Sequence, residues 1–226
     1  IDLSIKEHPG QAVFFNLKGL VATLEKDRSN AIKHYKKALE LDTNNIMTHL
    51  GLATLGLESK DLNLAKKHAK LALNINNQAA TAYLLLADIA NKQSNIQEAE
   101  KVILNALAIV KGNVNAEIKL VTSLTKLYAL QKKPTDILDL TQKLNNQYPD
   151  NTKALSLLAR AQILNKQNDL AEQTLNQLIK QEKLDVQGDI KVAQLFANIA
   201  ESLEIDWQSE IAKHIGDIPT YKLSQF

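Results

Sequence analysis

Residues 12–45 read AVFFNLKGLVATLEKDRSNAIKHYKKALELDTNN, and the next two blocks of 34 residues, 46–79 and 80–113, repeat their small side chains in register. Alanine stands at 31, 65 and 99 and again at 38, 72 and 106, and a third series runs Gly19, Ala53, Ala87. Two helices approach closely only where no bulky side chain intervenes, so small residues at a fixed period mark recurrent helix contacts. A period of 34 with a polar break near its middle fits a helix-turn-helix unit stacking on copies of itself. The breaks are Lys26-Asp27-Arg28-Ser29-Asn30, Ser59-Lys60-Asp61 and Gln93-Ser94-Asn95, and Asp61 and Asn95 are suited to cap the helices that follow.

Around these small residues further apolar ones recur too: Phe15, Tyr35 and Leu39, then Leu52, Ala69 and Leu73, then Tyr83, Leu86, Ile103 and Leu107. In type and spacing the three blocks resemble the tetratricopeptide repeat family. That resemblance implies an all-α, right-handed α-solenoid, here of about five helix-turn-helix repeats with a helical C-terminal tail. Ile137 follows Ala99 at a spacing of 38 before 34 resumes at Ala171, so the register slips by four. A longer connection at Lys111-Gly112-Asn113-Val114-Asn115 is expected to absorb the slip, with Gly112 ending one helix and an Asn starting the next. Repeats four (118–151) and five (152–185) are weaker copies, and only Pro149 stands where the family usually has a repeat-ending proline. The expected organisation is a solenoid over 1–185 and an amphipathic helical tail or cap over 186–226.

Composition narrows the function classes. The chain has 226 residues, seven Gly, four Pro and no Cys, which favours helix and excludes disulfides, thiolate metal sites and a thiol nucleophile. With 27 basic and 25 acidic side chains the net charge is +2, too small to draw nucleic acid or an anionic membrane by a global field. No apolar run approaches the roughly 20 residues that cross a bilayer. The chain opens at Ile1 without methionine, as expected of a processed or truncated chain, in which case any export signal or lipid anchor would lie outside it, and membrane association is expected only through such an anchor or a partner. Cytoplasm and envelope both fit.

After residue 185 the pattern changes. Val192, Leu195, Phe196, Ile199 and Leu203 fall on one helical face, which a cap packed on the last repeat would bury. The run Leu178–Phe226, with LDVQGDI at 184–190, Phe196 and Gly216-Asp217-Ile218, resembles the end of the sterol-carrier-like accessory proteins of ubiquinone biosynthesis, the UbiJ family. The resemblance covers about a fifth of the chain. It implies a last strand and helix of a lipid-binding sheet, although the preceding strands are replaced here by repeats, so it points to partners rather than to catalysis.

Reactive constellations are absent from the sequence. Histidines at 8, 34, 49, 68 and 214 show no metal-ligand spacing, and neither a phosphate loop, a GxSxG elbow nor an HExxH motif occurs. The reading is therefore non-enzymatic, with no catalytic residue, metal or cofactor. Basic clusters at Lys33-His34-Lys36-Lys37 and Lys66-Lys67-His68-Lys70 recur at the repeat period and are expected to form a solvated ridge that could meet an acidic partner or a membrane surface. Aromatic residues are only 4%, too few for the stacking platforms of nucleic-acid binding.

The resemblance implies a binding groove lined by the first helix of each repeat. Carried over position by position, it assigns Asn16, Leu20 and Thr23 from repeat one, Leu50, Thr54 and Leu57 from repeat two, and Leu84, Asp88 and Asn91 from repeat three. Repeats four and five add Thr122, Lys126, Ser156 and Arg160. The Lys, Asn and Arg set with which some relatives hold a chaperone C-terminus is not reproduced, since Leu17, Gly51, Leu85 and Thr81 occupy its places and only Asn16 resembles a member. The expected function is a protein-interaction scaffold whose partner lays a peptide or helix in the groove. Two alternatives are an accessory factor of a lipid- or ubiquinone-related complex, acting through the tail, and an envelope scaffold resembling tetratricopeptide lipoproteins of exopolysaccharide export and protein sorting.

Overall fold

The computed structural model describes residues 11–181, which form ten α-helices and no strand. They fall into two compact units that divide between Lys133 and Pro134. The first holds α1 (Ala12–Leu24), α2 (Arg28–Leu41), α3 (Ile46–Glu58), α4 (Leu62–Ile75), α5 (Ala80–Lys92), α6 (Ile96–Ile109) and α7 (Val114–Leu130). The second holds α8 (Pro134–Gln147), α9 (Thr152–Leu164) and α10 (Asn168–Gln181). The fold is an all-α helical-repeat solenoid. In the first unit α1 packs on α2, α3 on α4 and α5 on α6, while α1, α3, α5 and α7 stand in a row. Residues 182–226, which carry the expected tail and nearly all of the UbiJ-like run, lie outside the described residues.

One turn is built five times. Lys26, Lys60, Ser94, Lys132 and Lys166 all take the left-handed conformation, with φ between 56° and 61°. That conformation is costly for a residue with a Cβ, and two backbone hydrogen bonds offset the cost. At the first turn Lys26 N–H donates to Thr23 O and Asp27 N–H to Ala22 O, and the same pair recurs at 60–61, 94–95, 132–133 and 166–167. In the first three turns the residue after the left-handed one then caps the next helix: Asp27 accepts from Asn30 N–H, Asp61 from Leu64 N–H and Asn95 from Glu98 N–H. Asp61 and Asn95 cap as the sequence led one to expect.

The small residues lie where the helices meet. Ala31, Ala65, Ala99, Ala38, Ala72 and Ala106 are all fully buried. A Cβ on Gly56 of α3 would come within 2.5 Å of the Ala65 backbone nitrogen in α4, so those two backbones touch. Tyr35 of α2 packs with Ala31, Leu52 and Leu55 and is wholly buried. Its ring fills the space in front of both Gly19 and Gly51, where a Cβ would lie 2.5 Å and 2.7 Å from ring atoms.

The four-residue slip is resolved differently from the expectation. The connection from α6 to α7 is no longer than its counterparts before α3 and α5, and the extra residues extend α7 itself to 17 residues, against 13 for α1, α3, α5 and α9. Four residues are about one helical turn, so lengthening the helix keeps its buried face in register. Gly112 does take a left-handed φ of 90°, and Asn113 caps α7 by accepting from Ala116 N–H. The buried Glu117 reaches back to accept from Gly112 N–H.

Candidate functional site

Each first helix presents one residue per repeat in a column: Leu20 on α1, Thr54 on α3, Asp88 on α5 and Lys126 on α7. Leu20, Asp88 and Lys126 are exposed and Thr54 is half-buried, its hydroxyl donating to Leu50 O. The column therefore runs from apolar through neutral polar to charged. Asp88 feels Lys92 and Lys126, both of which favour its charged form, but desolvation outweighs them and raises its pKa above the ordinary carboxylate value. Asn16, Leu50, Leu84, Asn91 and Thr122 are half-buried beside this column, and Thr122 spends its hydroxyl on Ile118 O. Ser156, half-buried, and Arg160, exposed, lie on α9 in the other unit.

Two of the residues assigned to the groove lie in the core instead. Thr23 is buried, with its hydroxyl donating to Gly19 O and 3.3 Å from the Tyr35 hydroxyl. Leu57 is buried in a cluster with Ala53, Ala65, Ala69, Leu85 and Ile89. Both stand three residues beyond the column, which turns them by about 300° around the helix and toward the paired second helix.

The basic ridge also loses a member. The lysines at 33, 36, 37, 66, 67 and 70 are exposed and Lys37 pairs with Glu40, but His68 points inward and is buried. Its Nδ1 lies 2.9 Å from Nδ1 of His49, which is also buried, with the two rings stacked at 5.2 Å. His49 Nε2 is 3.2 Å from the Thr43 carbonyl, which can only accept, so Nε2 carries the hydrogen. In the neutral pair His49 Nδ1 then accepts from His68 Nδ1–H. Burial, the neighbouring His49 and Lys67 hold the His68 pKa down at about 4. Sequence reasoning missed this pair because the partners are 19 residues apart and meet only when α3 folds onto α4.

A second polar network joins α6 to α7. The Tyr128 hydroxyl donates to Glu100 Oε1, Gln131 donates to Oε2, and Lys133 lies near that carboxylate and over the Tyr128 ring. Among the described residues no three His, Cys, Asp or Glu side chains gather as a metal site would require. An open depression between α1 and α2 is lined by Lys18, Val21, Glu25, Asp27, Asn30 and His34.

Helical hairpins stacked on small-residue seams define a helical-repeat scaffold. Two stretches match tetratricopeptide repeat family models, residues 12–45 and 128–195, and the chain carries tetratricopeptide repeats there. The second stretch reaches into the UbiJ-like run, where the match is thus to a repeat. No curated protein matches the sequence. Among solved structures the chain is similar to PilF of Pseudomonas aeruginosa, at 15% identity over 95% of this chain and 96% of that one, with a TM-score of 0.55. It is similar to PilW, described as a widely conserved type IV pilus biogenesis factor, at 15% identity, 95% and 98% coverage and a TM-score of 0.56. Yeast Tom70 matches all of this chain with 45% of its own length, at 16% identity and a TM-score of 0.66. At these identities the likeness is one of fold. Proteins of this repeat class generally act as non-catalytic interaction scaffolds.

Proposed function

We propose that the row α1, α3, α5 and α7 binds an extended or helical segment of a partner protein. The observation that carries the proposal is the ordered column Leu20, Thr54, Asp88, Lys126, which offers an exposed apolar contact at one end and opposite charges at the other. Such a surface fixes the direction of a bound segment: an apolar anchor lies over α1 and a charged or polar end lies between α5 and α7. The Asp88 carboxyl, with Lys92 and Lys126 near it, can accept from a donor that a partner brings.

The test is affinity purification from the source cells with mass spectrometry, comparing the unaltered chain with a variant carrying Asp88→Lys and Lys126→Glu. A partner held by the former and lost by the latter supports the groove. Retention of every partner by the charge-altered chain rejects it. A chain ending at Gln181 is run beside them, because a partner lost only on that truncation uses residues 182–226, as the lipid-related accessory alternative requires.

A further inference from the structure

We propose that α2 and α4 carry a docking surface for an anionic lipid bilayer, on second helices that stand apart from the row forming the groove. The net charge of +2 hides how unevenly charge is placed along the chain. Together α2 and α4 hold seven basic side chains and one acidic one, Glu40. The second helices of the other unit, α8 and α10, reverse this balance, with Asp136, Asp139, Asp169 and Glu172 against Lys143 and Lys180. A field strong enough to act on a charged surface is therefore local to the first two repeats.

Five of the seven cations are uncommitted. Arg28 is held by Asp61 and Lys37 by Glu40, whereas Lys33, Lys36, Lys66, Lys67 and Lys70 are exposed and make no ion pair among the described residues. Lys33 and Lys67 are equivalent in the repeat, as are Lys36 and Lys70, so α2 and α4 present the same pair of charges. The residues that α2 buries, Ala31, Tyr35 and Ala38, lie about half a turn around the helix from Lys33, and Ala65, Ala69 and Ala72 lie likewise from Lys67. The ridge thus stands opposite the seams.

A second periodic feature accompanies the charge and selects the bilayer. Helices α2 and α4 end on exposed aliphatic side chains, Leu41 (38%) and Ile75 (39%). Helix α6 continues both series, with an exposed Lys101 and with Ile109 (42%) as its last residue. Each aliphatic residue lies eight places beyond the lysine of its helix, about 12 Å along the axis and less than a quarter-turn around it. A cation with an aliphatic contact beside it, repeated on successive helices, suits a surface that is the same at every step. A bilayer is such a surface, with phosphates outermost and acyl chains beneath them. The uncommitted cations are all lysines, and an ammonium needs no fixed geometry from mobile headgroups, whereas lysine is depleted where two proteins meet.

The experiment is cosedimentation of the full chain with vesicles of phosphatidylcholine containing about one-third phosphatidylglycerol. The chain is expected to sediment with these vesicles, to ignore vesicles of phosphatidylcholine alone, and to be released as salt is raised. Lys33→Gln combined with Lys67→Gln and Lys70→Gln should lower the partition coefficient about a hundredfold, at roughly fivefold for each lysine near an anionic surface. Helix content should stay unchanged, because all three side chains are exposed. Lys143→Gln combined with Lys153→Gln and Lys180→Gln removes the same charge from exposed places in the second unit and should leave binding within about twofold. Failure to sediment with the anionic vesicles overturns the proposal, and so does an equal loss in the two triple variants, which would make net charge the cause. Retention on immobilised polyglutamate without any binding to vesicles also overturns it, and assigns the ridge to an acidic protein.

Discussion

The two units build the same helix seam but differ in side-chain size at two of its places. In the first, α6 meets its neighbours through Ala99 and Ala106, both fully buried. In the second, α8 holds Ile137 and Leu144 at the matching places, 38 residues on, and these are also buried. Elsewhere the first unit goes further toward the small, with Gly56 against the backbone of Ala65 and Tyr35 lodged before two glycines. The second unit fills its seams with Leu155, Leu158, Leu175 and Leu178. What a helix seam demands is filled volume, and either close backbones or large side chains supply it.

Substitutions that exchange the two solutions test this contrast. The largest loss is expected at Gly56→Val, which drives a branched side chain into the Ala65 backbone and should cost more than about 3 kcal/mol, measured by urea unfolding followed by circular dichroism. A cost below about 1 kcal/mol there would show that the seam of the first unit is loose. Next is the reciprocal pair: Leu144→Ala should lose about 3 kcal/mol by leaving a cavity, and Ala106→Leu about 2 kcal/mol by overpacking. If Ala106→Leu were neutral, the two seams would not differ in tightness.

Acid should act on the first unit alone. His68 and Thr174 are equivalent in the repeat and both are buried, but Thr174 donates to Gln162 Oε1 and has nothing to titrate. The folded-state pKa of His68 lies near 4, below its ordinary 6.5, so the unfolded chain takes up the proton first. Stability from this residue is therefore complete above pH 6.5 and falls as pH drops toward 4, by about 3 kcal/mol. Hydrogen exchange at pH 7 and pH 5 should show faster opening of α3 and α4, with α9 and α10 changed less, and His68→Leu should remove the difference. The smallest effect concerns a cap. Asn151 caps α9 by accepting from Lys153 and Ala154 N–H, whereas Ala79, its equivalent before α5, offers no side-chain acceptor. Ala79→Asn should add about 1 kcal/mol, seen as a higher melting temperature, and no gain would mean that its backbone geometry does not admit the cap.

How much was legible follows from range along the chain. Seam alanines, turn positions and the Asp61 and Asn95 caps depend on neighbours a few residues away or on the 34-residue period, so they stand out in the sequence. The slip at α7 was legible as a count but not as a structure, because four extra residues can lengthen a loop or add a turn of helix. Thr23 and Leu57 were misplaced into the groove because a family correspondence gives the helix and not the angle around it, whereas burial depends on that angle. The His49–His68 contact left no trace in spacing, since a buried hydrogen bond between helices is set by how two faces meet.

By itself the sequence determined the class of fold, since periodic small residues and polar breaks admit few arrangements other than stacked helical hairpins. It also determined the absence of disulfide and thiol chemistry, because no cysteine is present. Tertiary structure decided which residues of each first helix face outward, that Tyr35 fills the space before two glycines, and that a histidine of the basic ridge turns inward. These outcomes depend on contacts between residues distant in the chain, where a rotation of one helix by a fraction of a turn exchanges a core position for a surface one.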